Sequence, residues 1–97
     1  MITGKQRSYL KGLAQELRPA VMIGRAGVTD TVITSIDEYL EANELIKVQL
    51  QEGAELDPKE TANEIAGMLR AEFVQAIGRR FVLYRRARDP EKRRIVL

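Results

Sequence analysis

Apolar residues along this chain switch repeatedly between helical and strand spacing, and that alternation restricts it to a mixed α/β fold. Thr3 and Gln6 form the pattern of a capping box that opens a helix. Leu10, Leu13, Ala14 and Leu17 follow at the spacing of a helix buried on one side, which Pro19 ends. Ala20–Ile23 is a short apolar run that reads as a buried strand. Thr29 or Asp30 caps a second helix, with Val32, Ile33, Ile36 and Leu40 on its apolar face and a stop near Asn43. Leu45–Leu50 alternates, placing Ile46, Val48 and Leu50 on one face and Lys47 and Gln49 on the other. Asp57, Pro58 and Glu60 start a third helix that turns Ala62, Ile65, Ala66 and Leu69 inward. Phe73–Ile77 and Arg80–Arg85 read as two strands joined by a tight turn at Gly78-Arg79.

The order α-β-α-β-α-β-β predicts a compact α/β domain with a four-stranded mixed sheet flanked by helices. Helical crossovers between the first three strands favour parallel or offset pairing, and the final hairpin is antiparallel. With 97 residues, 44% of them hydrophobic, the chain has the material for one modest core. Residues 1–86 are expected to form the domain and 87–97 a basic tail. The sequence leaves the order of that tail open, with only Ile95, Val96 and Leu97 offering a docking contact.

There is no cysteine and no histidine. Disulfides, Cys/His zinc sites and histidine-activated nucleophiles are therefore excluded, and the commonest general base is missing. No carboxylate cluster has a recognisable ligand spacing. We expect no enzyme activity, cofactor, metal or small-molecule substrate. No apolar run approaches the roughly 20 residues of a membrane span, and the N-terminus lacks a secretory pattern. A cytoplasmic monomer without membrane contact is the default expectation.

Charge is sorted along the chain although the total is only +2. Residues 1–27 carry five bases against one acid, residues 28–75 three against eleven, and residues 76–97 eight against two. Two basic ends thus flank an acidic middle, a distribution suited to a polyanion on one face. On the first helix, at roughly 100° per residue, Arg7, Lys11 and Arg18 fall within about 40° of one another.

Gly24-Arg25-Ala26-Gly27 lies between a strand and a helix start. Glycines let the backbone turn sharply and approach a ligand, the first helical amides lack partners, and the helix dipole adds positive potential. Phosphate suits such a place, and the forked guanidinium of Arg25 suits phosphate oxygens. A bare Gly-x-x-Gly is a weak signal that also occurs as a plain turn. It is neither the phosphate loop of nucleotide triphosphatases nor a dinucleotide fingerprint. KH domains clamp RNA backbone with a similar loop, but between two helices. Aromatic residues number only five, so affinity is expected from phosphate contacts with weak sequence preference.

These segments together resemble a known family, the CRM domain in its bacterial stand-alone YhbY-like form. TGKQRSYLKGLAQELRP resembles its first helix, VMIGRAGVTDTVITSIDEYLEANELIKVQL its loop, second helix and second strand, and IGRRFVLYRR its closing hairpin. The resemblance spans nearly all of residues 2–86. It implies a fold similar to the C-terminal domain of translation initiation factor three, RNA binding, and association with ribosomal RNA in precursors of the large subunit. It also implies RNA contact by Gly24, Arg25, Ala26 and Gly27, extended to the basic residues Lys5, Arg7, Lys11 and Arg79. The chain departs from the family where Arg25 replaces a frequent lysine, and the stretch from Arg85 to Arg94 is more basic than the family leads one to expect. The alternative function is a protein-interaction module. Asp37, Glu38, Glu41, Glu44, Glu60 and Glu64 would then dock a basic ribosomal or assembly partner instead of forming solvated faces that repel RNA.

Overall fold

The computed structural model describes residues 1–97. Three α-helices and four strands run in the expected order: α1 (Gly4–Ala14), β1 (Val21–Ile23), α2 (Asp30–Asn43), β2 (Leu45–Leu50), α3 (Pro58–Leu69), β3 (Glu72–Ile77) and β4 (Arg80–Tyr84). The capping box forms on α1, with the Gln6 N–H donating to Thr3 Oγ1 at 3.1 Å and the Thr3 N–H donating to Gln6 Oε1 at 2.9 Å. Thr29 caps α2 and Asp57 caps α3.

One expectation about the first helix is corrected. It stops at Ala14, well before Pro19. The chain then tightens into short turns, with Gln15 N–H donating to the Gly12 carbonyl and Leu17 N–H to the Ala14 carbonyl. This turns Leu17 back towards the core and presents its carbonyl to Lys47 Nζ at 2.9 Å. Arg18 therefore leaves the helical stripe of Arg7 and Lys11, and Leu13 stands exposed at the margin.

The sheet order is β1-β2-β4-β3. β1 and β2 are parallel, whereas β4 pairs antiparallel with both β2 and β3. Each sheet face has its own core. Ile23, Ile46, Val48, Leu50, Phe81 and Leu83 pack beneath α2 and α3. Leu45, Val74, Val82 and Tyr84 pack against Leu10 and Ala14 of α1. In β3 a bulge sets Val74 and Gln75 together opposite Val82. It permits Phe73 and Ala76 to join one core while Val74 joins the other.

Residues 87–97 fold back against the domain around two carboxylates of α2 and its end. Glu44 follows the last turn of α2 with φ 68°, in the left-handed region, and is fully buried. Its side chain accepts N–H bonds from Ala87 at 2.8 Å, Arg94 at 2.7 Å and Ile95 at 2.9 Å. Its own carbonyl accepts from Arg85 N–H at 2.9 Å. Burial alone pushes the Glu44 carboxyl up, but these backbone donors outweigh it and hold the group below its ordinary value. Burial and the Glu44 charge together push the Tyr84 hydroxyl up. Beside it, Glu41 accepts the N–H groups of Arg88 and Asp89, both at 3.0 Å, and is held at about 2. Arg85 fastens the same region by donating to the Asp37 carboxylate at 2.6 Å and the Leu69 carbonyl at 3.2 Å. No helix is long and apolar enough to cross a membrane.

Glu44→Gln places an amide donor where only acceptors fit. It is expected to weaken docking of the C-terminal segment by about 1–3 kcal/mol, the cost of leaving buried donors unpaired. Amide exchange at Ala87, Arg94 and Ile95 should rise while the sheet amides keep their protection. The acid response has a definite sign, because Glu41 and Glu44 both titrate below their ordinary value of 4.5. Their contribution is complete above that pH and is lost as pH falls towards about 2 for Glu41. The Arg88 and Asp89 amides on Glu41 should therefore lose protection between those limits, and those of Ala87, Arg94 and Ile95 on Glu44 should do so as pH falls below 4.5, in both cases before the sheet does.

Candidate nucleic-acid interface

The parallel pairing of β1 with β2 places Gly24 beside Gln51, because both strands end together at Ile23 and Leu50. Antiparallel β4 begins at that same end, with Arg80 opposite Gln49. Three loops therefore converge at one end of the sheet: residues 24–29, residues 51–57, and the β3–β4 hairpin turn.

The first loop closes on itself. Gly27 N–H donates to the Gly24 carbonyl at 3.0 Å, and Gly27 has φ 77°, where a side chain is disfavoured. Thr29 N–H donates to the Gly27 carbonyl, and Thr29 Oγ1 accepts from Val32 N–H. The amides of Arg25, Ala26, Val28, Asp30 and Thr31 make no hydrogen bond within the chain. They line the loop and the first turn of α2, where the helix dipole favours negative charge. The Asp30 carboxylate in that first turn partly offsets this potential.

The exposed Arg25 side chain lies against the second loop. Gly53 has φ 94°, and a Cβ built there would stand 3.0 Å from Arg25 Nε, so the guanidinium lies close over Gly53 and a side chain there would have to displace it. A Cβ on Gly24 would stand 2.9 Å from Gln51 Oε1, so the two loops meet closely. Arg79 holds the second loop from its other side. Its Nη2 donates to the carbonyls of Gln51 at 3.0 Å and Ala54 at 2.7 Å. Arg25 and Arg79 thus flank the same four-residue turn. Arg80 follows, with Nε on Gln49 Oε1 at 3.3 Å.

The other residues singled out from the sequence lie elsewhere. Arg7 and Lys11 border a groove along the free edge of β3, together with Lys59 and Asn63 of α3. Arg7 Nε donates to the Phe73 carbonyl on that edge at 3.3 Å. Lys5 sits beside Tyr9, Val96 and Leu97, at the sheet end where Ile2 N–H donates to Glu72. Glu72 stands opposite Tyr84, which stands opposite Leu45, so Lys5 lies at the far end of β2 from the loops. Sequence reasoning missed Arg80, Lys59 and the positioning role of Gly53. Arg80 directly follows Arg79 in the sequence, and a glycine inside an acidic loop was the only signal for Gly53.

All four ion pairs of the chain join Arg85 or Arg88 to Asp37 or Glu41. None of Lys5, Arg7, Lys11, Arg25, Lys59, Arg79 and Arg80 has a carboxylate within 4.0 Å. Asp37, Glu41 and Glu44 are engaged by the chain's own C-terminal segment, which corrects their reading as solvated or partner-binding groups. Unpaired bases thus stand at the loop end, and the basic C-terminal stretch is partly neutralised.

Fold and loop together define a small α/β domain with a glycine-bracketed, amide-lined, cationic loop at one end of its mixed sheet. The chain belongs to the CRS1/YhbY (CRM) domain family, whose model matches residues 2–85. It is 39% identical over 89 residues to "Probable RNA-binding protein YqeI" of Bacillus subtilis, covering 92% of this chain and 93% of that protein. It is 42% identical over 85 residues to an "RNA-binding protein" of Haemophilus influenzae, covering 87% and 85% respectively. The solution structure of the Staphylococcus aureus protein SAV1595 superposes with a TM-score of 0.80 at 38% identity, over 99% of this chain and 100% of that one.

Arg79→Ala frees two carbonyls of the 51–54 turn. It should speed exchange of the Ala54 amide and lower stability by about 1 kcal/mol, the scale of an exposed charge-assisted pair of bonds. Gly53→Ala should cost a similar amount, about 1 kcal/mol, from its positive φ, and it should displace Arg25. Chemical denaturation with exchange mapping checks both.

Proposed function

We propose that this chain binds RNA mainly by its phosphate backbone, at the sheet end formed by Gly24–Gly27, Arg25, Arg79 and Arg80. The observation that carries the reading is the sorting of charge. Every ion pair joins α2 to Arg85 or Arg88 beyond β4, whereas the loop-end arginines have no ion pair and stand near amides without acceptors. A cationic, amide-lined surface matches phosphate oxygens and carries little base-specific information. The relatives named RNA-binding proteins support the same partner.

Family resemblance adds ribosomal RNA of large-subunit precursors as the target, with a role in maturation of that subunit. Arg7, Lys11 and Lys59 extend the basic surface along the free edge of β3. Lys5 is the least connected of the expected contacts. Docking of a basic protein partner gains no support, because half of the acids it would use already hold the chain's own terminus.

The test is fluorescence anisotropy with a single-stranded ribosomal RNA fragment over a salt series. About five phosphate contacts give a slope of log affinity against log salt of roughly −3 to −4. Arg25→Ala should weaken binding to all sequences and make that slope shallower by about 0.7. Salt-insensitive binding, or none by the wild type at low salt, would overturn the proposal.

A further inference from the structure

A row of side chains crosses the α1 face of the sheet just beyond the end of α1. Register places Met22 beside Gln49, Gln49 beside Arg80, and Arg80 beside Ile77. Cross-strand neighbours point to the same face. Their flanking residues Ile23, Val48 and Phe81 enter the opposite core, which assigns the row to the α1 side. Helix α1 borders it only at Ile77 and Arg80, through Arg7, Lys11 and its C-cap Gln15. Met22 is 52% and Ile77 68% exposed, so two large apolar side chains stand in solvent at the ends of the row. Between them Arg80 donates to Gln49, which tethers its guanidinium on the sheet.

We infer that this row is a platform for the unstacked bases of single-stranded RNA whose backbone lies on the Gly24–Gly27 loop. The inference rests on the backbone-binding reading and extends it to the form of RNA bound. Three features favour this occupant. The row is continuous with the loop, since Met22 and Ile23 lead directly into Gly24 and Arg80 follows Arg79. Its charged member is a cation without a carboxylate partner, matching a strand that brings phosphates with it. Its width suits bases: three strand spacings make about 14 Å. Open sheets elsewhere take two or three bases on such a surface by stacking. Here a tethered guanidinium plane and two exposed apolar side chains, flexible Met22 and stiffer Ile77, replace the aromatic rings, and none of them reads base edges. Two isolated apolar residues divided by an Arg–Gln pair are too little for the apolar centre of a stable protein interface.

The experiment compares a single-stranded RNA oligonucleotide with an abasic oligonucleotide of equal length, using wild type, Met22→Gln/Ile77→Thr and Arg25→Ala. Both platform substitutions are at exposed positions and keep size or strand propensity, and each single variant serves if the pair melts early. The double variant should bind the base-bearing strand about fivefold or more weakly, the low end of stacking effects, with an unchanged salt slope. On the abasic strand it should match wild type. Equal behaviour of the double variant and wild type on both strands overturns the platform and leaves the row to a protein partner. An equal loss on both strands overturns it as well. Arg25→Ala should weaken both strands and lower the slope; if it does neither while the double variant loses only the base-bearing strand, the loop reading fails and the platform stands.

Discussion

The arrangement of charge in this protein depends on one buried carboxylate. Glu44 sits at the junction of α2 and β2 in a left-handed conformation that a residue other than glycine adopts at a cost. It is stabilised there because three backbone N–H groups of the C-terminal segment converge on its side chain. A buried carboxylate without such donors would be strongly unfavourable, and buried N–H groups without an acceptor likewise. Each thus requires the other, and together they bring residues 87–97 against α2. Asp37 and Glu41 then meet Arg85 and Arg88. Two acids of the negative middle are thus paired within the molecule, whereas Arg25, Arg79 and Arg80 stand without ion pairs at the loop end, which also carries Glu52 and Glu55 of the second loop.

Topology builds that loop end. A parallel β1–β2 pair and an antiparallel β4 bring the 24–29 loop, the 51–57 loop and the hairpin turn to one edge. Arg79 braces the middle loop through its carbonyls, and glycine at 53 leaves room for Arg25. An arginine can brace and still present charge, because only Nη2 of Arg79 is engaged. The loop end is therefore shaped by contacts between loops, with Thr29 capping the helix behind it.

Much of this was legible from residues alone. The capping box of Thr3 and Gln6, the Asp57-Pro58 start and the alternation of Ile46, Val48 and Leu50 are local signals, and each specified its element. The loop at Gly24–Gly27 was visible as a glycine pair before a helix cap. Pro19 marks only the latest possible stop of α1; the helix ends earlier, where Leu17 packs on the core and its carbonyl accepts from Lys47. Glu44 looks in the sequence like one more acid on a helix face, since nothing adjacent to it in the chain announces donors some fifty residues away.

Hydrophobic period, caps and turn residues determined from the sequence which segments are helices or strands, because those signals act between residues a few positions apart. The absence of cysteine and histidine and the uneven charge likewise narrowed the chemistry without any coordinates. The strand order, the pairing of α2 acids with the C-terminal bases, and the separation of Lys5 from Arg25 were decided only by tertiary structure. The bulge at Val74 shows why. Strict alternation would put Ile77 on the same face as Phe73, but two residues opposite Val82 shift the phase and turn Ile77 to the open row beside Arg80. Which residue faces which depends on how whole elements share two cores, and that competition is settled across the molecule rather than along the chain.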